Sequence, residues 1–470
     1  MEQNNEKITT VCISTCNRPE QLRSALSGLI NNLEKYDRSP RILVIDDSEN
    51  LQNAEKTKEI CNSYAKNYPG KIECMDRDDR KEMASKIAKE KGIPEEVMNF
   101  ALCGDKASAQ TVGSSKNTFL LKTRGEKILT IDDDVVYRFF VPLKEDPPFF
   151  TIENPYEYWF LKDNEMPSTS LFKPVEVDLL GVHENMLGKK AGEILGQNIS
   201  DDMKNMEIMD TYMGSYGDSP MASHIQLLFL PQVYEKLKNI SEEKYKTMKE
   251  TTRIIQTPLS QTTYQGIICI SMIMGIDNRD LVLPFLPLGR GLDLVFGTTR
   301  SKAFPLKLSQ YIPILIGHER PYREARSVVH NSVREMTKMS RIITSFINEM
   351  EDTDIDPRKN LQRIGDKFIN VSEEPTPIFA LMIEAQCKEI TRAAANHIAT
   401  ILENSDGMPD FWINDMKSII HELISPNPKF FMADITKNPS ENNIAFLQKW
   451  MNLYGRMLKE WNKLQKSHKE

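Results

Sequence analysis

Three consecutive aspartates, Asp132-Asp133-Asp134, close the short apolar run Lys127-Ile128-Leu129-Thr130-Ile131. That run is rich in β-branched residues and reads as a buried strand. A protein interior cannot hold three unpaired carboxylates, so the strand must deliver them to a surface, a cation, or both. Two aspartates spaced D-x-D on a tight turn can offer oxygens to a hard divalent cation such as Mg2+ or Mn2+. For such a run in isolation the plainer reading is a solvated acidic loop. On sequence alone, removing one of three clustered like charges should relieve repulsion.

The elements that must position this turn alternate. Ile8–Ser14 reads as a strand whose Val11-Cys12-Ile13 suits a sheet buried on both faces. Asn17-Arg18-Pro19 ends it, and Pro19 suits the first turn of a helix from about Glu20 to Leu33. Arg41–Ile45 is the next strand, closed by Asp46-Asp47-Ser48. A helix over about 53–67, a strand over Lys71–Met75, and helices over Lys81–Lys91 and Ser114–Thr123 follow before the aspartate strand. This β-α-β-α pattern predicts a parallel sheet with right-handed crossovers. Ligands bind beyond the carboxyl ends of such strands. Thr15, Asn17, Arg18, Asp46, Asp47 and Asp132 to Asp134 are therefore expected around one crevice.

Residues 144–219 begin irregularly, with Pro147-Pro148-Phe149-Phe150 and Trp159, and read as an insertion over the crevice, a lid or acceptor platform. Mixed α/β character returns over 221–312. Beyond about residue 324 the pattern is helical, over 332–349, 358–369, 378–402, 411–424 and 443–464. The expected division is an α/β domain over 1–324 and an all-helical domain over 325–470. Phe411, Trp412, Trp450 and Trp461 are the largest apolar side chains of the helical part. They are expected to dock it on the α/β part, to join two copies in a homo-oligomer, or simply to fill the bundle's own core.

At 470 residues, 40% hydrophobic and 27% charged, the composition is that of a soluble globular protein. The net charge of -7 argues against general nucleic-acid binding. The polar start and the absence of a long apolar run predict no signal peptide, no transmembrane segment and a cytoplasmic location. Seven scattered cysteines match no zinc spacing and read as reduced thiols.

Four motifs, in order, resemble the family 2 glycosyltransferases. Thr9-Thr10-Val11-Cys12-Ile13-Ser14-Thr15-Cys16-Asn17-Arg18-Pro19 is similar to that family's first strand and T-x-N-R-P turn. Ile42-Leu43-Val44-Ile45-Asp46-Asp47-Ser48 is similar to its second strand. Gly113-Ser114-Ser115-Lys116-Asn117 through Arg124-Gly125-Glu126 resembles the helix before its metal motif, and Asp132-Asp133-Asp134 takes the D-x-D position. The likeness covers roughly the first 140 residues. Further on, Arg290-Gly291-Leu292-Asp293-Leu294-Val295-Phe296-Gly297 resembles a segment that usually carries glutamate where Leu292 stands. Gly317-His318-Glu319-Arg320 lies where many such enzymes place a metal- or phosphate-binding histidine.

The resemblance implies a GT-A fold, that is, a Rossmann-like, mixed, mostly parallel sheet, and a nucleotide-diphosphate sugar as donor. Mn2+ or Mg2+ would be held by Asp134, by Asp132 directly or through water, and by His318, whose alternative is a structural histidine. Thr15, Asn17, Arg18, Asp46, Asp47, Lys116, Asp132 and Asp133 would bind the donor, although Lys116 reads equally as a solvated surface lysine. Asp293 would be the base of an inverting transfer, or else a helix-start cap. The acceptor is a glycan, a peptide, a lipid-linked sugar or a small metabolite. Two other classes stay open: a noncatalytic nucleotide- or sugar-binding module, and a sugar-phosphate nucleotidyltransferase.

Overall fold

The computed structural model describes residues 6–105, 107–108, 111–144, 146–219, 228, 230–320, 336–351, 353–425 and 443–465. Strands β1 (Ile8–Thr15), β2 (Arg41–Asp46), β3 (Ile72–Met75) and β4 (Glu126–Asp132) lie parallel in the order β3-β2-β1-β4. Their side chains alternate between two cores. Cys12, Leu43 and Ile45 face one, while Val11, Ile13, Ile42 and Val44 face the other.

The connecting helices are α1 (Pro19–Lys35), α2 (Leu51–Ala65), α3 (Arg77–Lys91), α4 (Glu95–Cys103) and α5 (Val112–Lys122). Pro19 opens α1, and Leu22, Leu26, Leu29 and Leu33 are buried along it as the spacing predicts. Helix α3 starts earlier than its apolar pattern suggests. Asp76 accepts hydrogen bonds from the amides of Asp78 and Asp79, and its own amide donates to Asp79 Oδ2, a capping box that starts the helix at Arg77, four residues before Lys81. Helix α4 is an addition to the sequence reading. It follows Pro94 with Glu95 and Glu96 in its first turn and buries Val97, Met98, Phe100, Ala101 and Leu102.

Beyond β4 the sheet is mixed rather than mostly parallel. After β5 (Val135–Pro142), β6 (Phe149–Thr151), β7 (Glu157–Phe160), β8 (Phe172–Val175) and two short helices, β9 (Glu207–Asp218) enters the sheet. Strands β10 (Arg253–Thr257), β11 (Thr262–Tyr264), β12 (Ile273–Asn278) and β13 (Lys307–His318) follow, with helix α10 (Leu292–Ala303) before β13. Strand β12 lies antiparallel between β4 and β9, while β9 and β13 run parallel. The segment 144–219 thus supplies a central strand as well as covering loops. Asp210, Thr211 and Tyr212 of β9 are wholly buried.

Helices Met339–Asn348, Pro357–Glu373, Thr376–Glu403, Asp410–Leu423 and Asn443–Gln465 form the C-terminal helical region. The expected boundary at 324/325 and the start of the first expected helix at residue 332 lie outside the described residues. The four large aromatics do not serve the helices alone. The Trp412 indole donates to the Leu228 carbonyl at 2.9 Å and the Trp461 indole to that of Val282 at 2.7 Å. Trp450 reaches Asp105 at 3.4 Å, and Phe411 lies 5.0 Å from the Tyr245 ring. One apolar cluster runs from Cys12 to Leu464 without a break between the two parts. Among the described residues no helix is long and apolar enough to cross a membrane.

Candidate functional site

Asp132 ends β4, Asp133 and Asp134 make the turn, and Val135 opens β5. Val135 pairs with His318, the last residue of β13. Sheet register therefore sets a histidine from residue 318 against the carboxylate of residue 134. His318 Nδ1 bonds the Asp218 carbonyl, which can only accept, so Nδ1 carries the proton. Arg320 Nε, which can only donate, points at His318 Nε2 at 3.3 Å. Arg320 and Asp134 therefore meet at the Nε2 edge of the ring.

His318 Nε2 lies 2.9 Å from the buried Asp134 Oδ1, an ion-pair distance at which a proton on Nε2 joins the two. A divalent cation that displaced that proton would find two acceptors already side by side. Two ligands at roughly 2.1 Å from an octahedral Mg2+-like ion, at a right angle, stand about 3 Å apart. The pair fits that requirement. Among the described residues no three His, Cys, Asp or Glu side chains converge to cage a metal. Mg2+ and Mn2+ do not need such a cage, since one or two protein groups with substrate phosphates and water suffice.

The other oxygen of Asp134 is crowded with cations. Arg18 Nη1 and Arg320 Nε each lie 3.2 Å from Oδ2. Burial disfavours charge on Asp134, but His318, Arg320 and Arg18 outweigh it and hold this carboxyl well below the usual range. The relief expected from deleting one acidic charge here is overturned, because Asp134 sits among positive groups. Asp133 turns the other way. It accepts from Thr15 Oγ1 at 2.7 Å and from Arg18 Nη1 at 3.2 Å. Burial, then the neighbouring Asp134, pushes it up to about 7.

Asp132 Oδ1 is also buried and makes no hydrogen bond. Burial raises its affinity for a proton, against Lys116, whose Nζ stands 3.7 Å away. Lys116 is buried rather than solvated, and its ammonium donates to the Ser271 carbonyl at 2.8 Å. The amide of the same Ser271 donates to Asp293 Oδ2 at 3.1 Å, and its hydroxyl to Oδ1. A single residue therefore ties Asp293 to the Lys116–Asp132 pair. Gly291, with φ at 81°, makes the left-handed start of α10 that brings Asp293 there.

The two carboxylates after β2 behave differently. Asp46 Oδ1 accepts from the Ser48 amide at 2.9 Å and its hydroxyl at 2.5 Å, and the Thr57 hydroxyl also steadies this buried carboxylate. Burial raises the Asp46 pKa. Asp47 is fully engaged: Arg80 and Arg77 meet Oδ1, and the Thr111 hydroxyl meets Oδ2. Asn17, at φ 55°, donates its backbone amide to Ser48 Oγ at 2.7 Å, and its Oδ1 accepts from the Asn50 amide at 3.2 Å. It laces the two strand-end turns together.

Thr15, Arg18, Asp132, Asp133, Asp134, Lys116, His318 and Asp293 are thus linked through direct contacts, while Asp46 and Asp47 lie two strands from Asp132, across β1. Sequence reasoning gave no role to Arg320, Asp218, Ser271, Arg77, Arg80 or Thr111. Arg320 could have been found from its place two residues after His318 on an extended chain. Nothing local marks Ser271. A cleft of about 220 Å³ lies at the far ends of these strands, lined by Glu207, Asp277, Arg279 and Lys307. Its arginine and lysine are paired with neighbouring carboxylates. No protein-family model matches this chain, and no curated protein matches it significantly.

Proposed function

We propose that the chain is an inverting, metal-assisted glycosyltransferase of the GT-A type, taking a sugar from a nucleotide-diphosphate donor. One observation carries this reading: the 2.9 Å approach of His318 Nε2 to Asp134 Oδ1, beside the Asp132–Lys116 pair, at the carboxyl end of a parallel sheet. The T-x-N-R-P turn and the aspartate turn meeting through Thr15, Arg18 and Asp133 support it.

Asp134 and His318 would hold Mg2+ or Mn2+, with Asp132 beside them. The cation supplies Lewis-acid stabilisation of the departing diphosphate. Asp293 takes the acceptor hydroxyl's proton as that oxygen bonds to the anomeric carbon. The bond from that carbon to the diphosphate oxygen breaks, and the configuration inverts. The two bonds from Ser271 orient Asp293 and leave lone pairs for the proton. Thr15, Asn17, Arg18, Asp46 and Asp47 would border the nucleotide side.

The same two bonds to Asp293 favour a second reading, a noncatalytic nucleotide- or sugar-binding module in which Asp293 only anchors the Ser271 loop. A panel of nucleotide-sugars with Mn2+ or Mg2+, scored for melting temperature and donor hydrolysis, separates the two. A transferase gives metal-dependent stabilisation and slow hydrolysis with one donor. A binding module gives the first without the second. Stabilisation by no donor under either metal would sink both.

A further inference from the structure

Two guanidinium groups stand between the buried carboxylates and solvent. The side chain of Asp134 is 2% exposed, while those of Arg18 and Arg320 are 32% and 19% exposed. Arg18 spans Asp133 and Asp134 with one nitrogen, Nη1, at 3.2 Å from each. Arg320 is fixed at its backbone, where its amide donates to Asp218 Oδ2 at 3.0 Å, and its Nε reaches both Asp134 and His318.

The charges decide what can bind there. Even with both carboxylates ionised, Arg18 and Arg320 already match Asp133 and Asp134. A divalent cation on Asp134 Oδ1 and His318 would add two positive charges within a few ångströms of two guanidiniums. That repulsion weakens metal binding by itself. An anion carrying several negative charges on adjacent phosphates removes it, because it meets the cation and both arginines at once. Guanidinium groups have the donor geometry for phosphate oxygens.

We propose that Arg18 and Arg320 form a diphosphate clamp that makes metal binding conditional on the diphosphate. The two bind with positive coupling, and neither binds well alone. This rests on the metal reading of Asp134 and His318 given above. It adds that the arginines, not the carboxylates, set the order of loading. By linkage the same factor must appear whichever component is titrated first.

Titration of the full chain with Mn2+, followed by electron paramagnetic resonance, tests this with inorganic pyrophosphate as the probe. In the wild type, saturating pyrophosphate should tighten Mn2+ binding by roughly tenfold or more, a usual size for coupled sites. In Arg18→Gln and in Arg320→Gln, Mn2+ alone should bind more tightly than to wild type, and the enhancement by pyrophosphate should shrink toward one. Because a single Arg18 nitrogen makes both contacts, Arg18→Lys keeps the charge in place and should restore most of the coupling. Circular dichroism on each variant guards against misfolding, and Arg320→Gln carries the test if Arg18→Gln does not fold. Equal Mn2+ affinity with and without pyrophosphate in the wild type would overturn the clamp and leave the metal site standing. Unchanged coupling in both glutamine variants would also overturn it. Failure of Mn2+ to bind under any condition would remove the metal reading and the clamp together.

Discussion

Asp47 and Asp134 follow parallel strands that flank β1, and each residue is 6% exposed, yet their surroundings differ in kind. Asp47 is closed. Arg80, whose side chain is wholly buried, and Arg77 hold one oxygen, and the Thr111 hydroxyl holds the other. Asp134 is open to exchange. Arg18 and Arg320 meet Oδ2, and Oδ1 has the His318 ring nitrogen 2.9 Å away. Burial of a carboxylate therefore does not mark a binding site. A carboxylate held against an imidazole nitrogen at ligand spacing does, because that nitrogen can give up its proton to a cation.

The largest expected effect tests the closed side. Asp47→Ala leaves Arg80 buried without a counter-charge, and should cost about 3–5 kcal/mol in denaturant unfolding. Mn2+ affinity of the folded protein should not change. A near-neutral result would place Asp47 with the open group. On the open side, Asp134→Ala should cost less, about 1–3 kcal/mol, because Arg18 and Arg320 can turn to water. It should also abolish any Mn2+-dependent rise in melting temperature, and a retained rise would refute the assignment of Oδ1 as a ligand.

Asp293 tests whether a carboxylate held by two donors can still do chemistry. Asp293→Asn keeps the size but cannot accept a proton, and its amide nitrogen cannot receive a bond from Ser271. Donor affinity should hold while single-turnover transfer falls roughly a hundredfold, the scale for losing a positioned base. The folded state should lose about 1 kcal/mol for the missing bond. Normal transfer with lowered stability would make Asp293 an anchor only.

The smallest effect separates burial from charge. His183 Nδ1 bonds Thr211 Oγ1 at 2.7 Å, and Nε2 is buried with no partner. Burial alone pushes its pKa from 6.5 down to about 3. The unfolded chain takes up a proton near pH 6.5 that the folded chain refuses. The stabilisation is thus complete above that pH and is lost as pH falls from 6.5 toward 3. At pH 5 the loss should be about 2 kcal/mol relative to pH 7.5. His183→Gln should remove that component from the stability-against-pH curve, and identical curves for the two proteins would count against it.

The parallel part of the fold was legible because its signals are local. Val11-Cys12-Ile13 and Ile42-Leu43-Val44-Ile45 are continuous apolar runs, Pro19 and the leucines of α1 repeat at helical spacing, and each strand ends in polar residues at a turn. The start of α3 was misjudged because its capping box, Asp76 with Asp79, precedes the apolar pattern. Strand β9 was hidden in a segment read as an insertion. Its Asp210, Thr211, Ser215 and Asp218 break the apolar run of a buried strand. Asp210 is tolerated there because Arg300 of α10 reaches it at 3.1 Å.

The order of residues along the chain determined that carboxylates would stand at the ends of β2 and β4, since strand and turn propensities act over a few neighbours. It also determined that an amphipathic helical region would follow. Which carboxylate is satisfied and which is open was decided only by tertiary structure. Arg80 lies 33 residues from Asp47, His318 lies 184 from Asp134, and Ser271 joins Asp293 to Lys116 from a loop with no motif of its own. Sheet register brings His318 to Asp134, and the packing of helices and a loop on the sheet brings the other pairs together. The placement of Trp412 and Trp461 follows the same rule. Their size is written in the sequence, but the carbonyls of Leu228 and Val282 that receive their indoles become neighbours only when the two parts share one core.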